Sequence, residues 1–155
     1  NLDTYIINST SDDDIIVNTS GTISSQTPVS VYYPGLSVDN TGNVAVGTTV
    51  VNSKFHVEGP ISTAIITVIA SYSVTNRDST ILVDSTNGNI NITVPTAYIG
   101  RKYIIKRINT GGGTITIIPV SGTIDGSVNK TLPNQYNFME VQSDSTNLYI
   151  IGTNF

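Results

Sequence analysis

Apolar and polar residues alternate with a period of two along most of the chain, in short runs punctuated by Asn, Gly, Asp and Ser. Alternation of this kind puts apolar side chains on one face of an extended segment and polar ones on the other, which predicts strands. They are expected at 4–8, 14–18, 29–33, 43–46, 54–58, 64–70, 80–84, 89–94, 102–108, 114–118, 138–142 and 148–151. No window repeats apolar side chains at i, i+3, i+4 and i+7 in helix-forming residue types, so no helix is expected. Asn40-Thr41-Gly42-Asn43, Asn87-Gly88-Asn89 and Asp125-Gly126 supply residues that tolerate the left-handed backbone of tight turns. Asn87-Gly88, between ILVD and NINITV, predicts a hairpin in which Ile90, Ile92 and Val94 face one side and Asn89, Asn91 and Thr93 the other.

The run lengths divide the chain. Up to Gly59 the strands are four or five residues long, too short to bury an apolar face alone, and equivalent strands of other subunits are expected to complete the sheet. A closed threefold assembly would also remove exposed sheet edges. From Pro60 onward longer strands recur about every ten residues, the spacing of a β-sandwich or jelly roll. The expectation is all-β: an intertwined stem segment at 1–59, then a β-sandwich or jelly-roll-like head at 60–155, as a homotrimer. The break is placed at Gly59-Pro60, because Pro ends strand pairing.

Composition strengthens this reading. Ile, Val and Thr make up 60 of the 155 residues, whereas Leu, Ala, Met and Glu together contribute 12. Stiff β-branched side chains suit a pleated surface and helix formers are scarce, which excludes a helical bundle. Charged residues are only 12% and the formal charge is −4. A neutral, hydroxyl- and amide-rich surface suits carbohydrate or self-assembly, and the acidic balance argues against nucleic acid. Without Cys there is no disulfide and no thiolate chemistry. The longest apolar stretch, AIITVIA at 64–70, is too short to span a bilayer, so no membrane insertion is expected. The chain starts at Asn1 and its single Met is Met139, which predicts a processed chain or a C-terminal fragment with more protein before Asn1.

Two stretches resemble known proteins. Residues 42–59, GNVAVGTTVVNSKFHVEG, resemble the GNVGIGTT…KLxVxG element of bacteriophage tail fibres and tailspikes through Gly42, Asn43, Val44, Val46, Gly47, Thr48, Thr49, Lys54, Val57 and Gly59. Ala45 stands where Gly is usual, Phe55 where Leu is usual, and no Pro follows Thr49. Residues 73–152 resemble a C-terminal β-domain of tail fibres and of large DNA virus fibres: TILVD, a hairpin, TVPTA, GRKYIIK, GTITI, IDG and SDSTNLYII, in that order. Leu148 replaces an aromatic and Ser145 a Gly. The resemblance implies a fibrous trimer on the virion surface that ends in a β-domain. Some such proteins carry a helix-rich self-cleaving chaperone at the end; the strand-like sequence after Gly59 predicts none in this chain.

Catalysis is not expected. His56 is the single His, so one chain cannot assemble a triad or a multi-His metal site. Three copies on a trimer axis could hold a metal or an anion, against the ordinary reading of a strand residue. Asp12-Asp13-Asp14 could offer Asp12 and Asp14 to a hard cation, but consecutive extended residues point to alternate sides and chelate poorly together. Glycosidases need two carboxyls about 5–10 Å apart, and nothing in the sequence pairs Glu58, Glu140 or any two Asp. No cofactor is called for.

Aromatic rings stack on sugars while neighbouring Asn and Arg read polar groups. Tyr33, Tyr98 with Arg101, and Tyr136 with Asn137 lie in or beside predicted loops and are the candidate ligand-binding residues. Phe138, Tyr103 and Tyr149 sit inside predicted strands and read as core or interface. In GRKYIIKR, Lys102 and Lys106 share one strand face and Arg107 takes the other; the ordinary reading is a solvated face, the sharper one contact with anionic glycans. The expected function is attachment of a virion to a host-surface glycan or receptor without covalent chemistry. The alternatives are a trimerising or capping module with no receptor binding of its own and, less in keeping with the residues, a depolymerase fragment.

Overall fold

A computed structural model describes residues 35–38, 41–48 and 50–155. The strands expected at 4–8, 14–18 and 29–33, together with Asp12, Asp14 and Tyr33, lie outside the described residues. Every regular element among the described residues is a strand. The chain divides into two compact units between Ile61 and Ser62, two residues after the break expected between Gly59 and Pro60.

In the first unit, β1 (Leu36–Val38), β2 (Val44–Val46) and β3 (Phe55–Val57) form one sheet, with β1 antiparallel and β3 parallel to β2. The 42–59 stretch supplies β2 and β3. Gly47 ends β2 at φ +80°, and a Cβ there would stand 3.0 Å from the Glu58 carbonyl oxygen, so no side chain fits without strain. Three-residue strands cover little: among the unit's described residues Ala45 alone is fully buried, while Leu36, Val38 and Phe55 are exposed.

The second unit is a two-layer β-sandwich. One sheet has the order β12-β11-β8-β6-β4, the other β10-β9-β7-β5. The first comprises β4 (Ile65–Val68), β6 (Thr80–Val83), β8 (Lys102–Arg107), β11 (Phe138–Ser143) and β12 (Leu148–Thr153). The second comprises β5 (Tyr72–Ser73), β7 (Ile90–Val94), β9 (Ile115–Pro119) and β10 (Lys130–Leu132). Period-two alternation translates directly into layers. Ile81, Ile105 and Met139 lie side by side across the larger sheet, and Ile92 and Ile117 across the smaller one, all essentially without solvent exposure. Ile90, Ile92 and Val94 share the core face, as their spacing predicts.

The pairing differs from the sequence expectation. Asn87-Gly88 does not close a hairpin: β6 pairs in parallel with β4 and β8, and β7 in parallel with β5 and β9. The chain thus winds alternately between the sheets from β4 to β9, unlike the antiparallel jelly roll. A hairpin would place both apolar sets on one face of one sheet. The arch instead sets Ile81 and Val83 against the opposing Ile90 and Ile92, so each set covers the other. Within the second unit, antiparallel strand pairing appears only at the close, where β11 pairs with β8 and β12 and β10 with β9. Strands β1, β5 and β10 are not among those the alternation predicts.

Successive arches stack. The turn after β8 lies on the turn after β6: Gly113 N–H donates to Ser85 O at 2.7 Å, and the buried Ser85 hydroxyl donates to Gly113 O at 2.8 Å. Thr114 N–H donates to the Asn89 side chain at 2.8 Å. At the other end the Thr96 and Ser121 hydroxyls meet at 2.7 Å. The bonds at Ser85, Gly113 and Thr114 satisfy corner backbone that the ladders do not reach.

Candidate functional site

Strand β8, third in the five-stranded sheet, positions most of the candidate residues. Its first residue follows the turn 98–101, closed by the Arg101 N–H donating to Tyr98 O at 3.1 Å. Gly100 N–H donates to Ser143 O at 2.7 Å, which pins this turn to the end of β11. The Tyr98 ring stands 45% exposed, and Ile99 beside it 78%. The Arg101 guanidinium lies over the buried Tyr103 ring at 5.5 Å and donates to the Asp78 carbonyl at 2.6 Å. Arg101 Nε and the Tyr103 hydroxyl are both buried without a hydrogen-bond partner. Burial pushes the Tyr103 phenol above its ordinary value, with Arg101 opposing.

The other end of β8 holds the second candidate group. Tyr136 N–H donates to Arg107 O at 2.9 Å. The Tyr136 ring is 58% exposed, with the Lys106 ammonium 5.7 Å from its centre. Its backbone is left-handed, φ +64°, unusual for a residue with a bulky side chain. Six residues of strand separate the two ends by about 20 Å. Tyr98 with Arg101 and Tyr136 with Asn137 are therefore two places on the surface.

Two expectations need correction. Asn137 is buried: its side-chain oxygen accepts from Asn134 N–H at 2.8 Å, and Arg107 N–H donates to its carbonyl at 2.9 Å. It shapes the loop that presents Tyr136, because a buried amide is held where its bonds are met. Arg107 is not on a solvated face either. It lies in the core-facing row with Val83 and is buried, donating to the carbonyls of Asn109 at 3.3 Å, Leu132 at 3.1 Å, Pro133 at 3.3 Å and also Gly111. It lines a depression of about 530 Å3 between the 110–114 and 131–135 loops. Nothing in a strand pattern distinguishes a guanidinium that caps the core from one in water.

The four described aspartates of the second unit are turn supports. Asp84 accepts from Thr86 N–H at 2.9 Å, Asp125 from Ile150 N–H at 3.2 Å, and Asp144 from Thr146 and Asn147 N–H at 2.8 and 2.7 Å. Asp78 is buried and accepts from Thr75 N–H at 2.7 Å, the Thr75 hydroxyl at 2.8 Å and the Tyr72 hydroxyl at 2.9 Å. Its burial favours the neutral acid, but the bonds from Thr75 and Tyr72 and the charge of Arg101 prevail and hold the carboxyl below its ordinary value. Hydrogen bonds from Thr86 lower Asp84, and backbone bonds from Asn147 and Thr146 lower Asp144. Ser145 has φ +84°, a left-handed backbone that glycine adopts without steric cost.

Groups lowered on folding stabilise fully above their unfolded pKa, about 4, and lose that contribution as pH falls toward the folded value. The melting temperature should thus stay level from pH 7 to about 5 and fall below pH 4. Asp78→Asn should melt lower at pH 7 and show a shallower acid decline, measured by circular dichroism from pH 2 to 7. An acid decline as steep as in the parent would remove Asp78 from this account.

In the first unit, His56 Nδ1 lies 2.7 Å from Val50 O, and Nε2 lies 3.6 Å from Glu58 Oε2. That fixes the ring on its own unit, with Nδ1–H donating. Among the described residues no three His, Cys, Asp or Glu side chains gather to hold a metal ion. Glu58 belongs to the first unit and Glu140 to the second. What the second unit offers chemically is two exposed tyrosine rings in supported loops, Tyr136 with the Lys106 ammonium over it and Tyr98 in the turn that leads into Arg101. Compared with known proteins, the chain matches no protein-family model and no curated protein.

Proposed function

We propose that the chain is the C-terminal part of a virion fibre, of a phage or a large DNA virus, which attaches to host-surface glycan or protein as a homotrimer. The observation that carries this reading is the exposure of Tyr98 and Tyr136 in loops braced by backbone hydrogen bonds, where a ring can stack on a sugar. The left-handed backbone at Tyr136 adds weight, since such conformations persist only where the surroundings impose them. The two sequence resemblances supply the viral context. Assembly is supported by exposed apolar side chains on both edge strands of the larger sheet, Ile65 on β4 and Tyr149 and Ile151 on β12, and by Leu36, Val38 and Phe55 in the first unit. Second copies would cover them, and three weak sites on one particle would gain avidity.

Light scattering should give three times 16.5 kDa. On a glycan array and on host cells the trimer should bind, and Tyr98→Ala or Tyr136→Ala should weaken binding about tenfold, the loss of one good ring contact. A stable monomer contradicts the assembly. A folded trimer that binds no host cell favours the capping alternative, and unchanged affinity in both variants removes the tyrosines.

A further inference from the structure

The chain has seven basic residues against eleven acidic ones, yet three of the seven line one depression of about 640 Å3 on the second unit. These are Arg77, Arg101 and Lys102, with Ser79 and Thr63 as polar neighbours and Glu140 as the only acid. Glu140 is already engaged, 3.5 Å from the Lys102 ammonium. The Asp78 carboxylate is taken up by Thr75 and Tyr72, and Arg101 reaches only its carbonyl. Among the described residues neither Arg77 nor Arg101 has a carboxylate within salt-bridge distance. The depression therefore carries two guanidinium groups with no carboxylate bonded to either, Arg101 being offset only by the nearby Asp78 charge.

Arg101 is also held in place. One terminal nitrogen is tied to the Asp78 carbonyl and the plane rests over Tyr103, while Nε is buried with no acceptor. A fixed guanidinium loses little freedom on binding, and its planar fork matches a carboxylate in two parallel bonds. The same turn exposes the Tyr98 ring. From this arrangement we infer that the depression binds a carboxylate-bearing sugar of the host surface, with Arg101 and Arg77 holding the carboxylate and Tyr98 flanking the ring. The inference rests on the attachment reading and narrows its ligand to acidic saccharides at the Tyr98 end of β8.

The test compares matched oligosaccharides by calorimetry on the whole assembled chain: sialyllactose against lactose, and a glucuronate-terminated disaccharide against its glucose-terminated counterpart. At least one acidic probe should bind ten times more tightly than its neutral partner, and the gap should shrink as salt is raised. Arg77→Gln, at an exposed side chain, should close most of that gap without lowering the melting temperature. Arg101→Lys, which keeps the charge and loses the fork, should weaken acidic binding several-fold. Equal affinity for every acidic and neutral pair, or an acidic preference untouched by both variants, overturns the inference. Tight binding of neutral sugars alone would sink it while leaving the attachment reading standing; binding of no sugar and no host cell would remove both.

Discussion

Gly113→Ala is expected to destabilise the second unit by about 3 kcal/mol or more and to lower its melting temperature by roughly 10 °C or more. A Cβ at this position would stand 2.0 Å from the Gly88 carbonyl carbon and 2.3 Å from Asn89 N, both backbone atoms of the arch beneath. Neither can move without breaking the contacts that stack the two turns: the Ser85–Gly113 bonds of 2.7 and 2.8 Å, and Ile90 N–H to Thr114 O at 2.9 Å. Gly111→Ala is the internal control. Its Cβ would meet nothing within 4 Å, but its φ of +71° disfavours any side chain. It should cost only about 1 kcal/mol, the usual penalty for a left-handed alanine. Thermal melts of the two variants separate close packing of arches from simple turn preference. If Gly113→Ala melts no lower than Gly111→Ala, the stacked arches do not hold the fold together as described.

Arg107→Leu should cost roughly 3 kcal/mol, read from denaturant unfolding. An apolar replacement often matches a buried ion pair, because both partners can be removed together. Here the acceptors are main-chain carbonyls of Asn109, Gly111, Leu132 and Pro133, which no substitution deletes. Losing the guanidinium unties the loop after β8 from the residues that follow β10, and leaves carbonyls facing an apolar side chain. Arg107→Lys should recover only part of the loss, since one ammonium cannot reach both loops as a planar fork does. A Leu variant within 1 kcal/mol of the parent would mean that water replaces these bonds readily.

The exposed partners in the same GRKYIIKR run show how one strand serves two purposes. Lys102 and Lys106 face outward, Lys106 toward the Tyr136 ring, while Tyr103, Ile105 and Arg107 face the core. The pattern assigned these faces correctly. It could not say that the guanidinium on the inner face would find carbonyls to satisfy it. That depends on where the 109–111 and 132–133 loops arrive, and both come from distant parts of the chain. Asn137 makes the same point. Beside an aromatic in a predicted loop it reads as a sugar contact, yet its amide is consumed by Asn134 and the loop it shapes.

Much of the fold follows from the sequence alone. Alternation of β-branched and polar residues marks the strands from β6 to β9 and from β11 to β12, because a strand places every second side chain on the same face whatever lies next to it. Asn and Gly mark the corners for an equally local reason, the backbone angles they tolerate. Partner choice is not local. Whether Asn87-Gly88 returns a strand beside its predecessor or carries it across to the opposite sheet depends on which apolar surface remains uncovered. Only the assembled sandwich decides that, by setting Ile81 and Val83 against Ile90 and Ile92. The gathering of Arg77, Arg101 and Lys102 around one depression is likewise tertiary, because the parallel pairing of β6 with β8 brings positions 77 and 101 together across more than twenty residues of chain.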